Sequence, residues 1–181
     1  MKRHEVSGRR QGYNEGLFLP ILALGSPTHP LPSFYYDGWL KTYRAETWYG
    51  MTYFVFPPLF GHHYGQCWID CRNIVDGKNK EFGITYFENS RRATLANRQY
   101  CIENPMKFKG YSDSLWGLTA CDGPGKDGAK GYFARGAPNS EIDDGTIAPT
   151  AAGGSISFTP KESIKALRTM YALLCTGNDR R

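Results

Sequence analysis

Long apolar runs are missing from this sequence of 181 residues. The two longest candidates, residues 18–24 and 53–60, are interrupted by Pro20 and by the pair Pro57–Pro58, whereas a membrane-spanning helix needs about 20 consecutive apolar residues. The first ten residues are polar and basic and lack the apolar segment of a signal peptide. The sequence therefore predicts no membrane span and no signal peptide, and it leaves the cellular location open.

A basic surface is also missing from the interior of the chain. The formal net charge is +5, but residues 1–10 carry +3 and the last three residues carry +1, which leaves +1 for everything between them. Nucleic-acid binding needs basic residues clustered on one face, and the interior offers only the pair Arg91–Arg92. We therefore expect no nucleic-acid partner.

Motifs for metal, phosphate and nucleophile chemistry are absent from the sequence. It contains no GxSxG, HExxH or P-loop pattern. His62 and His63 are adjacent, whereas two helical histidines that share a metal are four residues apart. The five cysteines include no CxxC pair, and an odd number cannot all pair. The sequence predicts free thiols, no metal site and no cofactor.

Aromatic side chains, by contrast, are plentiful at 14% of the chain, together with 21 glycines and 11 prolines. This composition favours shaped loops that carry flat, amphipathic rings and suits a cleft for polar ring compounds. For any single ring, packing in the core is the alternative. Because carboxylates, amides and arginines are the remaining chemical groups, the composition best suits glycoside hydrolysis, in which two carboxylates move the protons.

Helix formers and breakers predict a helix-rich domain with long glycine-rich loops. Gly25, the Asp76–Gly77 break and Pro105 are stop signals, and Pro20 is expected to kink the first helix. The predicted helices cover about residues 13–25, 37–41, 59–76, 81–104, 112–119 and 160–174.

Two glutamates are candidate catalytic groups at helix ends. Glu15 opens a predicted helix, where an acidic residue also has the purely structural role of stabilising the N-terminus. Glu88 stands among aromatic residues, and desolvation by these rings would favour the protonated carboxyl that a general acid needs. Pairing with Arg91 or Arg92 would favour the ionised carboxylate instead, and the sequence leaves both alternatives open.

Three aspartates are further candidates. Asp70 stands close to Arg72, so a structural ion pair is the alternative to a role in a site. Asp143 and Asp144 are adjacent on a predicted turn. Because neighbouring side chains on a turn diverge, we expect at most one of them to face a cleft.

Six segments, in this order, carry a specific family signature: GYNEG, ALGSPTHPLP, PLFGHHYGQCWID, ITYFENSRRATLANRQYCIENP, WGLTACDGPG and DDGTIAPTAAGGSISFTP. They resemble the glycoamylase-like family, which includes bacterial endo-β-1,2-glucanases and a module of cyclic β-1,2-glucan synthases. The resemblance runs from about residue 7 to residue 174. It implies an (α/α)6 toroid and chemistry at β-glucosidic bonds without metal or organic cofactor, with an oligosaccharide or β-glucan as the partner.

The resemblance also implies roles for individual residues. Glu88 in the YFENS motif is expected to be the general acid, and Glu15 in the GYNE motif an assisting or substrate-binding carboxylate. Their carboxyl groups should then converge on one cleft, within about 15 Å of each other. The residues expected to bind substrate in the same cleft are Tyr13, His62, Asp70, Arg72, Trp116 and Asp144.

The chain departs from the family pattern at Gly65–Gln66, where a Ser–His pair is usual, and at Pro20. A toroid of twelve helices needs roughly 200 residues. We therefore expect an all-α fold, an incomplete (α/α)6 toroid with about half the helices, and missing N- and C-terminal segments of the same module. The expected organisation is a basic disordered lead at 1–10, a partial glycoamylase-like domain at 11–176 and a tail at 177–181.

The leading functional hypothesis is a glycoside hydrolase fragment that acts on β-glucan, with β-1,2-glucan as the expected substrate. A non-catalytic carbohydrate-binding remnant and the transglycosylase module of a cyclic glucan synthase are the alternatives. The family is commonly exported to the periplasm. For the isolated chain we expect uncovered apolar faces and little or no turnover.

Overall fold

A computed structural model describes residues 11–123 and 131–176. The predicted basic lead at 1–10, the tail at 177–181 and most of the glycine-rich DGPGKDG segment lie outside these described residues. The domain prediction for 11–176 therefore stays a prediction.

Helices make up most of the regular structure in the described part of the chain. The α-helices are α1 Phe18–Leu24, α2 Phe34–Leu40, α3 Phe60–Trp68, α4 Gly77–Phe82, α5 Tyr86–Glu103, α6 Pro149–Gly154 and α7 Pro160–Thr176. Short 3₁₀ turns cover Glu15–Leu17 and Ser140–Ile142. Two antiparallel hairpins are also present, β1 Ala45–Trp48 with β2 Met51–Phe54 and β3 Ala120–Gly123 with β4 Gly131–Ala134. The helix-rich prediction is confirmed, and the two short hairpins are additions that it did not include.

The first helix begins later than predicted. Asn14 accepts a hydrogen bond from the Gly16 amide at 2.8 Å and caps the 3₁₀ turn, and α1 follows from Phe18. Pro20 therefore lies in the first turn of α1, where backbone N–H groups have no partner within the helix. The position costs the helix no hydrogen bond, so the reason for expecting a kink does not apply.

The helix predicted over residues 59–76 is in fact shorter and is followed by a separate one. Helix α3 ends at Trp68, because Ile69 is extended. Asp76 then begins α4, with its side chain accepting from the Asn79 amide at 3.0 Å in a capping box. Gly83, in the left-handed conformation, ends α4, and Thr85 caps α5. The single helix predicted over residues 81–104 therefore begins only at Tyr86.

Two predictions near the C-terminal half have opposite outcomes. The helix predicted over residues 112–119 is wrong, since Ser112 and Leu115 form an isolated β-bridge there. The final helix is confirmed, because α7 begins at Pro160 as expected and extends to Thr176.

Hairpin β1–β2 turns through Tyr49 and Gly50, both with positive φ, at 54° and 74°. Two consecutive residues in this region form the tight turn that matches the twist of a β-hairpin. The register pairs Glu46 with Tyr53 and Thr47 with Thr52. Side chains at alternate positions of β1 therefore share one face of the hairpin.

The long helix α5 holds the surrounding loops through buried amides. Asn89 accepts a hydrogen bond from the Phe54 amide at 2.7 Å, and Asn97 exchanges two hydrogen bonds of 3.0 Å with the backbone of Leu118. Both amides are fully buried. These polar contacts fix hairpin β1–β2 and the residues before β3 against one helix.

Several apolar side chains on the helices are exposed. Helix α7 exposes Tyr171 and Leu174 to 71% and 68%, and α1 exposes Leu22 to 64%. No helix in the described ranges is long and apolar enough to cross a membrane.

Candidate functional site

A cavity of about 670 Å³ opens between hairpin β1–β2 and the chain segment that follows β4. We call it the hairpin cavity. Its volume lies in the range of small-molecule sites. It is lined by Gln11, Gly12, Tyr13, Arg44, Glu46, Trp48, Tyr53, Val55, Phe56, Pro57, Ala137, Pro138, Asn139, Ser140 and Glu141.

One wall of the cavity is built by alternation along β1 and the residue just before it. Arg44, Glu46 and Trp48 are two residues apart and share one face of the hairpin. The Trp48 indole donates to Oε2 of Glu46 at 3.0 Å, and the Arg44 guanidinium donates to Oε1 at 3.3 Å. The carboxylate is therefore held from both sides, and Trp48 remains 38% exposed.

Tyr53 lies directly opposite Glu46 in the hairpin register and lines the same cavity. Its side chain is only 2% exposed, and its hydroxyl has no hydrogen-bond partner among the described residues. Burial, and next the negative charge of Glu46, raise the pKa of Tyr53, so the hydroxyl keeps its proton. It is a buried donor without a partner among the described residues, in a side chain that lines the cavity.

The opposite wall is the 135–144 loop, which an ion pair closes. Arg135 is fully buried, and its guanidinium contacts both carboxylate oxygens of Asp144 at 2.6 Å. It also donates to the Cys121 carbonyl at 2.7 Å. Near the start of the loop, the Ala137 amide donates to the Pro57 carbonyl at 3.2 Å. Asp144, expected to bind substrate, instead anchors the loop that carries cavity residues 137–141.

The neighbouring Asp143 points elsewhere, as expected for adjacent turn residues. It accepts hydrogen bonds from the hydroxyls of Tyr100 at 2.9 Å and Tyr111 at 2.7 Å.

Burial would raise the pKa of Asp144, but hydrogen bonds from Arg135 and Thr146 outweigh the effect of burial and lower that pKa.

The GYNEG segment contributes Tyr13 to the cavity. The Tyr13 ring stacks on His62 with centroids 4.9 Å apart and is 3% exposed. Burial raises the pKa of its hydroxyl to about 12. Glu15 opens the 3₁₀ turn and is half-buried, but it is not among the residues that line the hairpin cavity.

Glu88 lies in the first turn of α5. Of the two alternatives that the sequence left open for its side chain, the structure shows pairing with the two arginines. Arg92 contacts its carboxylate at 3.0 Å and Arg91 at 3.4 Å. The Arg92 guanidinium also donates to the Thr52 carbonyl of hairpin β1–β2 at 2.9 Å. Glu88 does not line the hairpin cavity either. The convergence of Glu15 and Glu88 on one cleft stays a prediction.

Asp70 and Arg72 form an exposed ion pair at a second cavity, of about 470 Å³, after the end of α3. Hydrogen bonds from Arg72 lower the pKa of Asp70 to about 2. Trp68, 78% exposed, lines the same cavity. The structure therefore separates Asp70 and Arg72 from the cavity that contains Tyr13, instead of placing all of them in one cleft.

Two other predicted substrate-binding residues are buried in the core. Trp116 is 0% exposed, so it offers no face to a sugar. His62 is also 0% exposed and is held by the Phe56 carbonyl at 3.2 Å. Burial, with the neighbouring His63, lowers the pKa of His62 to about 3, so the ring is neutral. The structure places both side chains in the core and not at the surface of a cavity, and their contact with substrate stays a prediction.

The sequence reasoning missed Arg44, Glu46, Trp48 and Tyr53. The signal that could have found them is the alternation RAETW before a tight turn, which places a cation, a carboxylate and an indole on one face of a strand.

Comparison with known proteins gives consistent matches. An exo β-1,2-glucooligosaccharide sophorohydrolase from Parabacteroides distasonis is 34% identical over 185 residues, covering 88% of this chain. The structure of an endo-β-1,2-glucanase from Chitinophaga pinensis, in complex with sophorotriose and glucose, matches with 36% identity and a TM-score of 0.77 over 94% of this chain. That of a β-1,2-glucanase from P. distasonis matches with 34% identity and a TM-score of 0.76 over 88% of this chain.

The matched proteins are much longer than this chain. The chain spans 24% of the P. distasonis sophorohydrolase and 40% of the C. pinensis structure. The model of the Glycoamylase family, described as "Putative glucoamylase", matches residues 8–177. With nearly its whole length matched, the chain belongs to the Glycoamylase family.

Proposed function

We propose that this chain is part of a glycoside hydrolase module that acts on β-1,2-linked glucan. The observation that carries the proposal is the match, at 34–36% identity over most of this chain, to enzymes named for β-1,2-glucan substrates. An open cavity with aromatic, carboxylate and amide side chains is consistent with a polar sugar ligand. The incomplete toroid also remains our proposal, supported by the fraction of the solved relative that the chain spans.

The proposed chemistry uses two carboxylates, one donating a proton to the leaving oxygen and one acting as base or nucleophile. Glu88 as general acid and Glu15 as the assisting carboxylate are the assignments that the motifs support. Arg91 and Arg92 both contact Oε1 of the Glu88 carboxylate.

The test places residues 11–176 of this chain in the matching segment of the C. pinensis endo-β-1,2-glucanase. The folded chimera should hydrolyse linear β-1,2-glucan, and Glu88→Gln or Glu15→Gln should lower turnover about 10²-fold or more. Glu81→Gln is the matched control, because Glu81 forms an exposed pair with Lys78. We expect this control to retain parental turnover.

The alternatives give different products. A folded chimera that binds the glucan without releasing oligosaccharides would support the binding remnant, and cyclic products would support the transglycosylase module. Either result would overturn the proposal of a hydrolase. Full turnover in Glu88→Gln would remove Glu88 from the mechanism.

A further inference from the structure

One face of hairpin β1–β2 combines three chemical properties in a small area. Trp48 offers a partly exposed indole, Glu46 a fixed carboxylate and Tyr53 a hydroxyl without a partner among the described residues. Arg44 completes the set with a cation beside Glu46. We call these four residues the hairpin face.

The carboxylate of Glu46 is oriented before any ligand arrives. One oxygen accepts from the Trp48 indole and the other from Arg44. An ionised carboxylate has about four acceptor positions, so positions remain for ligand hydroxyl groups on both oxygens. A ligand that donates from two neighbouring hydroxyls fits this geometry.

Tyr53 supplies an independent indication of a ligand. A buried hydroxyl without a partner is costly, and native structures rarely leave one unexplained. The Tyr53 side chain lies at the cavity wall, opposite Glu46. Because the hydroxyl oxygen itself is shielded from solvent, a ligand oxygen in the cavity would accept this hydrogen bond after a shift of the Tyr53 ring toward the ligand.

Apolar C–H surface, adjacent hydroxyl donors and an oxygen acceptor occur together in a pyranose ring. We propose that the hairpin face is a binding subsite for one glucosyl unit, with the ring packed on Trp48, its hydroxyls donating to Glu46 and one oxygen accepting from Tyr53. This inference rests on the proposed function for the identity of the sugar. The subsite binds the sugar and does not itself transfer protons.

The test is isothermal titration calorimetry, in which the purified 181-residue chain is titrated with sophorotriose. Trp48→Ala should weaken binding about tenfold or more, as should Glu46→Gln, which keeps the shape but removes the charge. Tyr53→Phe should weaken it severalfold. Thr47→Ala is the control, because Thr47 pairs with Thr52 on the opposite face of the hairpin, and it should bind as the parent does.

Circular dichroism spectra of each variant distinguish lost binding from lost folding. If Trp48→Ala does not fold, two other variants test the subsite. Trp48→Phe keeps an aromatic ring and should retain most of the affinity for sophorotriose, whereas Glu46→Gln should not. Parental affinity in a folded Glu46→Gln or Trp48→Ala variant overturns the subsite, as does a parent chain that folds but binds no sophorotriose. Binding that depends on the hairpin face while the chimera hydrolyses nothing would instead refute the proposed function alone.

Discussion

The ion pair between Arg135 and Asp144 gives the sharpest prediction about stability. Both side chains are removed from water, with 0% and 7% of their surfaces exposed, and their contacts are 2.6 Å long. Replacing Asp144 by Ala leaves the guanidinium charge buried, with the Cys121 carbonyl as its strongest remaining acceptor. Breaking a buried pair in this way costs about 3–5 kcal/mol. Because Arg135 keeps that acceptor, we expect the loss in unfolding free energy to fall near about 3 kcal/mol.

The assay is urea denaturation at neutral pH, with tryptophan fluorescence and circular dichroism as the two readouts of unfolding. The double variant Arg135→Met with Asp144→Leu removes both charges, and it should lie within about 2 kcal/mol of the parent, because apolar replacement of a buried pair is often close to neutral. The double variant should therefore be more stable than Asp144→Ala. A cost below about 1 kcal/mol for Asp144→Ala, or a double variant no more stable than Asp144→Ala, would refute the view that this pair closes the loop as a buried unit.

Three further predictions follow from buried groups and close contacts. Burial lowers the pKa of His63 to about 4; the unfolded chain therefore binds more protons than the folded chain between about pH 6.5 and pH 4. Unfolding free energy should fall with decreasing pH in this window by up to about 1.4 kcal/mol per pH unit from His63, and His63→Gln should flatten that slope in urea titrations. Gly136→Ala should destabilise the chain by about 1–3 kcal/mol in the same assay, because its Cβ would lie 2.3 Å from the Pro57 backbone; Gly38→Ala, in α2 with nothing within 4 Å, should be neutral or stabilising. Finally, the isolated chain should release few or no oligosaccharides from β-1,2-glucan, and product analysis showing efficient release that Glu88→Gln abolishes would contradict this expectation.

Strong local signals made parts of the fold predictable. Pro160 marks the start of α7, and Pro105 follows the end of α5 closely. Other boundaries depend on local hydrogen bonds that composition does not reveal. Asp76 does not end a helix; its side chain caps the N-terminus of α4. The side chain of Thr85 caps the N-terminus of α5 in the same way. Both are side-chain bonds to backbone amides in a stretch rich in helix formers.

The site was less predictable because burial and pairing are decided by tertiary structure. Trp116 and Asp144 stand in characteristic motifs, yet one ring is in the core and one carboxylate anchors a loop. Conversely, Glu46 and Trp48 belong to no motif that was recognised, and only the register of the hairpin places them beside Tyr53. Motifs indicated the family, whereas the hairpin face emerged from strand pairing.

The proposed glucosyl subsite at the hairpin cavity is tested most directly by a crystal structure of the chain soaked with sophorotriose. We predict density for a glucosyl ring packed on Trp48, with hydroxyl groups within about 3 Å of Glu46. Well-defined sugar density at the second cavity, beside Trp68 and Asp70, with the hairpin cavity empty, would contradict it.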